Sequence, residues 1–295
     1  NGGAIFMLPT IAFSLTIGLA LLTAEMCMGR HARGGAGTAF RKLGGKRWGI
    51  IGLISVATGA LVLGFYSVVG GWCVHYLIEA LLGRAAVTDP SVMRGAFEAF
   101  AADPIQSVGS HVLFLSATAA VVLAGVEKGI ERVGKILMPL LFILMLVVIV
   151  RGLMLPGAWA GVEFLFKFDP DAFTLCVGCG CMMTYGSYLN AKTNLVRSCV
   201  WIAFLAVIAS LMGGLMIMPS VFAFGLDPTA GPGLTFITMP AVFAQLPGGQ
   251  IFAVIFYLCL AVAAITSSVS MIEIIVAFLV DEKNYTRPKA AVVST

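Results

Sequence analysis

Long apolar segments that carry almost no charge recur along this chain and decide what it can fold into. Residues 200–224 contain no charged side chain, and this stretch exceeds the roughly 20 residues that an α-helix needs to cross a bilayer. Only 11% of the 295 residues are Asp, Glu, Lys or Arg, whereas soluble proteins contain about 25%. The mean hydropathy is +1.02. A soluble domain could not cover its surface with so few charges, so the sequence predicts an all-α polytopic membrane protein.

Apolar runs bounded by charged residues, glycine or proline predict seven membrane spans. They cover residues 4–28, 48–82, 112–126, 136–155, 173–189, 200–224 and 251–280. Residues 231–247 are apolar as well, but this stretch is short and contains several prolines. It therefore predicts a re-entrant or interfacial hairpin between the last two spans.

The distribution of basic residues predicts how these spans are oriented. Fourteen of the 18 Lys and Arg residues fall in the loops after spans one, three, five and seven. The positive-inside rule makes those loops cytoplasmic, which puts Asn1 outside and Thr295 in the cytoplasm of a multi-pass protein of the cell membrane. The net charge of +4 is spread over loops and gives no indication of nucleic acid binding. Both ends of the chain look cut, so we expect one transmembrane domain, residues 1–295, from a longer protein.

A group of hydroxyl side chains lies deep in the last apolar segment. Ala263, Thr266 and Ser267 follow helical spacing and share one face of that helix. Such hydroxyls can bond to the backbone of their own helix. Hydroxyl and carbonyl oxygens also suit a hard cation such as Na⁺. The residues alone leave both interpretations open.

The short fifth span has the composition of a broken helix. Gly178 and Gly180 interrupt it, and unwound backbone at membrane depth is tolerated where it lines a cavity or is buried in protein. Interrupted spans point to a transporter binding site, while close packing through small residues is the alternative. The nearby cysteines have no matching Cys or His pair, so they are interpreted as small hydrophobic residues rather than a metal or redox centre.

Four ionisable residues within the spans are functional candidates. Glu25, near the cytoplasmic end of span one, is expected to anchor neighbouring loops. His75 and Glu79 lie one helical turn apart and are expected to form a structural pair. Glu273, on the cytoplasmic side of Ser267, is a candidate for the inner gate.

Several motifs together resemble the bacterial neurotransmitter:sodium symporters, the LeuT-like amino-acid transporters. The similarity runs through the whole chain in the family's order, at residues 1–9, 64–72, 129–139, 183–188, 219–225, 264–268 and 277–282. It implies helices two to eight of an inverted-repeat fold with a broken sixth helix. It also implies a symporter that uses Na⁺ to take up a small neutral amino acid by alternating access.

The resemblance implies roles for residues that match the family's motifs. Ala263, Thr266 and Ser267 fall on the second sodium site, and Thr174 falls on a residue shared by the first sodium site and the halide site. Tyr66 matches the tyrosine whose hydroxyl holds the substrate carboxylate. Tyr188 and Asp281 match the cytoplasmic gate. Positions that line the substrate side-chain pocket are matched by Val62, Phe173, Cys176, Cys179 and Met271.

The chain also departs from the family's pattern. Ala206 replaces an amide or carboxylate ligand and Thr10 replaces a tyrosine near the halide position. The sequence thus favours the second sodium site over the first. It does not determine whether the protein uses chloride or what its oligomeric state is. The alternatives in function are a same-fold transporter without the first sodium site, a non-transporting scaffold, and an intramembrane enzyme that uses Cys179 with His75.

Overall fold

A computed structural model describes residues 4–85, 89–167, 182–190, 193–225 and 233–295. The described part of the chain is helical and contains no strand. Its helices are α1 (Ala4–Phe13), α2 (Leu19–Ala32), α3 (Ala36–Gly44), α4 (Gly49–Leu81), α5 (Pro90–Ala102), α6 (Pro104–Leu123), α7 (Arg132–Leu153), α8 (Ala158–Phe166), α9 (Met182–Tyr188), α10 (Leu195–Ala223), α11 (Met239–Ala244), α12 (Gly249–Lys283) and α13 (Arg287–Ser294). Shorter helical turns precede or connect several of these at Ser14–Gly18, Lys46–Trp48, Val126–Glu131 and Leu234–Thr238.

Six helical stretches in the described ranges are long and apolar enough to cross a membrane. They are Leu8–Ala32, Lys46–Leu81, Pro104–Leu123, Gly129–Leu153, Leu195–Ala223 and Gly249–Lys283. These correspond to six of the seven predicted spans, and the described part of the other span is α9. The predicted hairpin region contains the short apolar helix Leu234–Ala244, which is too short to span a bilayer.

Polar caps set where two of these helices begin. The carboxylate of Asp103 accepts hydrogen bonds from the backbone N–H groups of Ile105 and Gln106 at the start of α6, and these bonds lower the pKa of Asp103. The side chain of Asn194 likewise accepts from the N–H of Arg197 at the start of α10. Such capping side chains satisfy backbone donors that the first helical turn leaves unpaired. The span predicted from residue 112 consequently begins at Pro104, because its polar first turns are still helical.

Helix α12 is the central helix of the molecule. It packs along α4 and also contacts α6, α7 and α13. Phe256 and Tyr257 in its N-terminal half and Ile272 and Glu273 in its C-terminal half are fully buried. Side chains on α12 are therefore held by neighbours on several sides, which makes the helix a rigid support for the candidate residues it carries.

Helix α9 is positioned by direct backbone contact with α2. A Cβ atom on Gly29 of α2 would overlap the carbonyl oxygen of Met183, and one on Gly186 of α9 would overlap the carbonyl oxygen of Met26. Small residues allow two membrane helices to approach this closely. The two glycines thus fix α9 against α2 and direct its tyrosines toward α12.

Candidate functional site

The hydroxyl-rich stretch of α12 contains one residue that differs from its neighbours. Thr266 donates to the carbonyl of Ala263 at 2.9 Å, Ser268 to that of Ala264 at 2.9 Å, and Ser270 to that of Thr266 at 3.3 Å. These bonds follow the local pattern that Ser and Thr adopt within helices. In the described part of the chain, the hydroxyl of Ser267 has no such bond.

The three predicted sodium ligands lie close together on this stretch. Ala263, Thr266 and Ser267 are each partly exposed, whereas Ala264 and Ser268 are buried. The hydroxyl oxygen of Thr266 and the carbonyl oxygen of Ala263 are 2.9 Å apart, close enough for both to contact a single ion. The exposed edge therefore offers two neighbouring oxygens and one unpaired hydroxyl, a donor set that suits a hard cation.

Helix α4 carries two of the predicted substrate residues. Val62 and Tyr66 lie one turn apart, and Val62 is 37% exposed while Tyr66 is half-buried. Within the described ranges, the hydroxyl of Tyr66 has no hydrogen-bond partner. Met271 of α12 is half-buried and packs against the cluster that contains Leu63 and Val122. Phe173, Thr174, Cys176 and Cys179 lie outside the described residues.

A buried ionic cluster closes the end of α12 that follows this site. The carboxylate of Glu273 is fully buried and accepts two hydrogen bonds from the guanidinium of Arg287, at 2.9 and 2.6 Å. The hydroxyl of Tyr188 donates a third bond to Glu273 at 2.5 Å. A buried carboxylate needs such partners because an isolated charge is costly away from water.

Arg287 lies in α13, beyond the spanning part of α12, and remains positively charged. Burial acts to lower the pKa of Arg287, but the hydrogen bonds and charge of Glu273 outweigh burial and raise it. Sequence reasoning did not identify Arg287, because its position beside Glu273 depends on a chain reversal. Asn284 ends α12 in the left-handed conformation, with φ of 53°, and this residue type tolerates that conformation.

Tyr185 of α9 also hydrogen-bonds to α12, one helical turn before Tyr188. The hydroxyl of Tyr185 donates to Ser270 at 2.7 Å, while Tyr188 donates to Glu273. Tyr185 and Tyr188 are three residues apart on α9, and Ser270 and Glu273 are three residues apart on α12. Two successive turns of α9 are therefore hydrogen-bonded to two successive turns of α12. We call these two bonds the α9–α12 latch.

The two predicted gate residues have different partners. Asp281 is exposed and accepts the backbone N–H of Gly35, between α2 and α3, at 2.8 Å. Tyr188 instead belongs to the latch. The C-terminal end of α12 is thus held by two separate contacts. Glu25, expected to anchor loops, instead binds a helix, since its carboxylate accepts the N–H of Met182, the first residue of α9, at 3.3 Å.

An aromatic cluster covers the C-terminal half of α4 and the N-terminal half of α12. Tyr76 and Tyr257 are buried there beside Phe97 and Phe236, and Tyr257 donates to the carbonyl of Thr235 at 3.0 Å. Since Phe97 belongs to α5 and Phe236 to the turn before α11, these loop elements cap the spans through aromatic contacts.

His75 and Glu79 are expected to pair, and the charge of Glu79 acts on the imidazole, but the direct contact of the His75 ring is with Phe100. The ring of His75 stacks on Phe100, with centroids 3.7 Å apart, and no hydrogen bond or ion pair joins it to Glu79 in the described part of the chain. The reason is that α5 folds back over α4 and offers a flat apolar ring to the imidazole, a contact that sequence spacing could not reveal.

One family model and several known proteins are similar to this chain in sequence. The model of the sodium:neurotransmitter symporter family matches residues 1–91 and 103–295. The uncharacterized sodium-dependent transporter YhdH of Bacillus subtilis is 38% identical over 292 residues, which cover 94% of this chain and 65% of the relative. An uncharacterized sodium-dependent transporter of Haemophilus influenzae is 32% identical, over 100% of this chain and 70% of its own length.

A solved structure is similar over nearly the whole chain. The crystal structure of MhsT in complex with L-phenylalanine has a TM-score of 0.90 and 38% identity, and it covers 99% of this chain and 70% of that protein. This similarity agrees with the LeuT-like fold implied by the sequence motifs. The chain spans about two thirds of the length of these relatives. With its family model matched along nearly its whole length, the chain belongs to the sodium:neurotransmitter symporter family.

Proposed function

We propose that the protein is a sodium-coupled secondary transporter that takes up a neutral amino acid by alternating access. The observation that carries the proposal is the unpaired hydroxyl of Ser267 beside the Thr266–Ala263 oxygen pair. Membership of a family named for sodium symport supports the choice of ion. The complex of MhsT with L-phenylalanine supports an amino-acid substrate.

Sodium would bind at the partly exposed edge of α12. The carbonyl of Ala263 and the hydroxyls of Thr266 and Ser267 supply three oxygens, and further ligands would come from elements outside this chain's described residues. Thr266 can bind the ion without giving up its intrahelical bond, because its hydroxyl donates to the carbonyl of Ala263 while its oxygen lone pairs stay free. Thr174 is a candidate for a further sodium or halide contact, and chloride use remains a separate proposal to test.

The amino acid would bind between α4 and the segment that leads into α9. The hydroxyl of Tyr66 would donate to its carboxylate, since this hydroxyl has no partner among the described residues. Val62 and Met271 would contact its side chain, together with Phe173, Cys176 and Cys179 of the neighbouring segment. We propose that the small Cys179 leaves room for a bulky side chain.

The α9–α12 latch would keep the inner end closed while sodium and substrate bind. Opening toward the cytoplasm requires α9 to leave α12, which breaks the bonds of Tyr185 and Tyr188. The contact of Asp281 with Gly35 would separate in the same step. Ser270 and Glu273 of the latch lie on the same rigid helix as the proposed sodium ligands. Ion binding can therefore be coupled to closure of the gate.

The proposal is tested by uptake into proteoliposomes that contain the complete protein. An inward sodium gradient should drive accumulation of a radiolabelled neutral amino acid, and an equal potassium gradient should not. Unlabelled phenylalanine should compete better than glycine or alanine if the pocket accepts bulky side chains. Accumulation that ignores the sodium gradient would contradict the proposed coupling, and an exclusive preference for glycine or alanine would contradict the proposed pocket.

A further inference from the structure

Two basic residues at the turn between α3 and α4 have no partner among the described residues. Lys46 and Arg47 are exposed, and neither makes a hydrogen bond or ion pair in the described part of the chain. Nearby cations differ from them, since Arg41 pairs with Glu282 and Lys42 donates to the carbonyl of Ala32. The pair therefore forms a local excess of positive charge at the basic end of the helical bundle.

The acidic side chains at this end are already engaged. Each described carboxylate here has a partner, as with Glu25 and Met182, Glu131 and Lys135, Glu273 and Arg287, Asp281 and Gly35, and Glu282 and Arg41. A neutralising group for Lys46 and Arg47 is therefore better sought outside the protein. A phosphate group is the anion that suits an arginine and a lysine side by side.

Trp48 is held beside these two cations by the shape of the turn. Gly45 adopts φ of 90°, its N–H donates to the carbonyl of Arg41, and the N–H of Trp48 donates to the carbonyl of Gly45. The indole ring lies across Gly44, where a Cβ atom would come within 2.7 Å of the ring. Trp48 is still 54% exposed, as expected of an aromatic side chain at a membrane interface.

The first turns of α4 continue this surface with aliphatic side chains. Ile50, Leu53 and Ile54 are 62%, 50% and 59% exposed. An acyl chain can lie along this face while its headgroup remains level with Trp48 and the two cations. The combination of unpaired charge and adjoining apolar surface distinguishes a lipid from a free phosphate ion.

We propose that this corner, formed by Lys46, Arg47, Trp48 and the exposed face of residues 50–54, binds an anionic phospholipid. Lys46 and Arg47 contact the headgroup phosphate, Trp48 packs at the interface, and the isoleucine and leucine side chains contact the acyl chains. The excess of basic residues at this end matches the anionic lipids of a cytoplasmic leaflet. This site is independent of the proposed sodium and substrate sites.

The test uses the complete protein in phosphatidylcholine bilayers and measures quenching of Trp48 by brominated lipids. The Trp48 signal is the difference between the protein and its Trp48→Phe variant. Brominated phosphatidylglycerol should be preferred over brominated phosphatidylcholine by about 5- to 25-fold, the attraction expected for two basic residues at an anionic surface. The double variant Lys46→Gln/Arg47→Gln should lower this preference to within about twofold of unity.

A matched control removes two positive charges elsewhere at the basic end of the helical bundle. The exposed residues Arg132 and Lys135 begin α7, and the double variant Arg132→Gln/Lys135→Gln should retain the preference at Trp48. Equal losses in both double variants would mean that only overall charge matters, which overturns the proposal. Loss of the preference on adding inorganic phosphate at constant ionic strength would show binding of a free anion and overturn it as well.

Discussion

Two hydroxyl groups, on Ser267 and Tyr66, differ from the other hydroxyls around them. Thr266, Ser268 and Ser270 bond to their own helix, and Ser67, next to Tyr66, donates to the carbonyl of Gly64 at 3.1 Å. Among the described residues, Ser267 and Tyr66 lack such a bond. Because the hydroxyls of Ser267 and Tyr66 have no partner among these residues, they are available to bind an ion or a substrate.

Replacing Tyr66 with phenylalanine should weaken amino-acid binding while the fold remains intact. A hydrogen bond to a charged acceptor is worth about 1.5–3 kcal/mol, so the dissociation constant should rise by roughly 10- to 150-fold. Equilibrium binding of radiolabelled substrate measures this change. The control is Ser67→Ala, which removes a hydroxyl already bonded to the same helix and should leave affinity unchanged. Equal affinity of the Tyr66→Phe variant and the parent would exclude the proposed carboxylate contact.

At the scale of helices, α9 is attached to its neighbours by two kinds of contact. Backbone approach through Gly29 and Gly186 fixes it to α2, and the latch of Tyr185 and Tyr188 connects it to α12. The first contact is steric and cannot be released without separating the helices. The second consists of hydrogen bonds, which can break and re-form during transport.

The variant Tyr188→Phe should weaken the attachment of the C-terminal end of α9 to α12. It removes one donor from the buried carboxylate of Glu273 but leaves the two bonds of Arg287, so the ionic pair survives. Hydrogen exchange of the α9 amides should become about tenfold faster, which corresponds to roughly 1.4 kcal/mol of lost protection. Tyr285→Phe, at the same end of the molecule, serves as control because no hydrogen bond of its hydroxyl is present among the described residues. Unchanged exchange in the Tyr188 variant would contradict the latch.

Alanine at Gly29 should destabilise the molecule by overpacking. The added methyl group would overlap the carbonyl of Met183, and such insertions cost about 1–3 kcal/mol. Gly213 in α10 is a matched control, since a Cβ atom there meets nothing within 4 Å and alanine favours the helix by about 1 kcal/mol. Thermal unfolding in detergent should show a lower midpoint for Gly29→Ala than for Gly213→Ala. The reverse order would mean that α2 and α9 are not in close contact.

At the scale of the whole molecule, the sequence predicts the membrane spans better than the contacts between them. Apolar runs locate six spans because each run reflects the solvent around a single helix. Helix starts are less accurate where a polar cap such as Asp103 extends the helix beyond its apolar part. Glu273 was recognised as a gate candidate, but its partner Arg287 was not, since that pairing depends on the turn at Asn284.

The stacking of His75 on Phe100 illustrates the same difference. Spacing along one helix suggested Glu79 as the partner, whereas the actual partner comes from α5 on the other side of a loop. The shared helix face of Ala263, Thr266 and Ser267 was easier to predict, because all three lie on a single helix whose geometry follows directly from sequence spacing. Their role in binding sodium stays a prediction.

Coupling to sodium is tested most directly by substrate binding as a function of sodium concentration. The complete protein is compared with Thr266→Val, Ser267→Ala and Ser268→Ala, using a neutral amino acid that the proteoliposomes accumulate. Loss of one ligand at about 1–3 kcal/mol should raise the half-maximal sodium concentration roughly 5- to 150-fold for Thr266→Val and Ser267→Ala. Ser268→Ala should remain within about twofold of the parent, because that hydroxyl is fully buried on another side of α12 and bonds to Ala264. An unchanged sodium dependence in both Thr266→Val and Ser267→Ala would contradict the proposed sodium site.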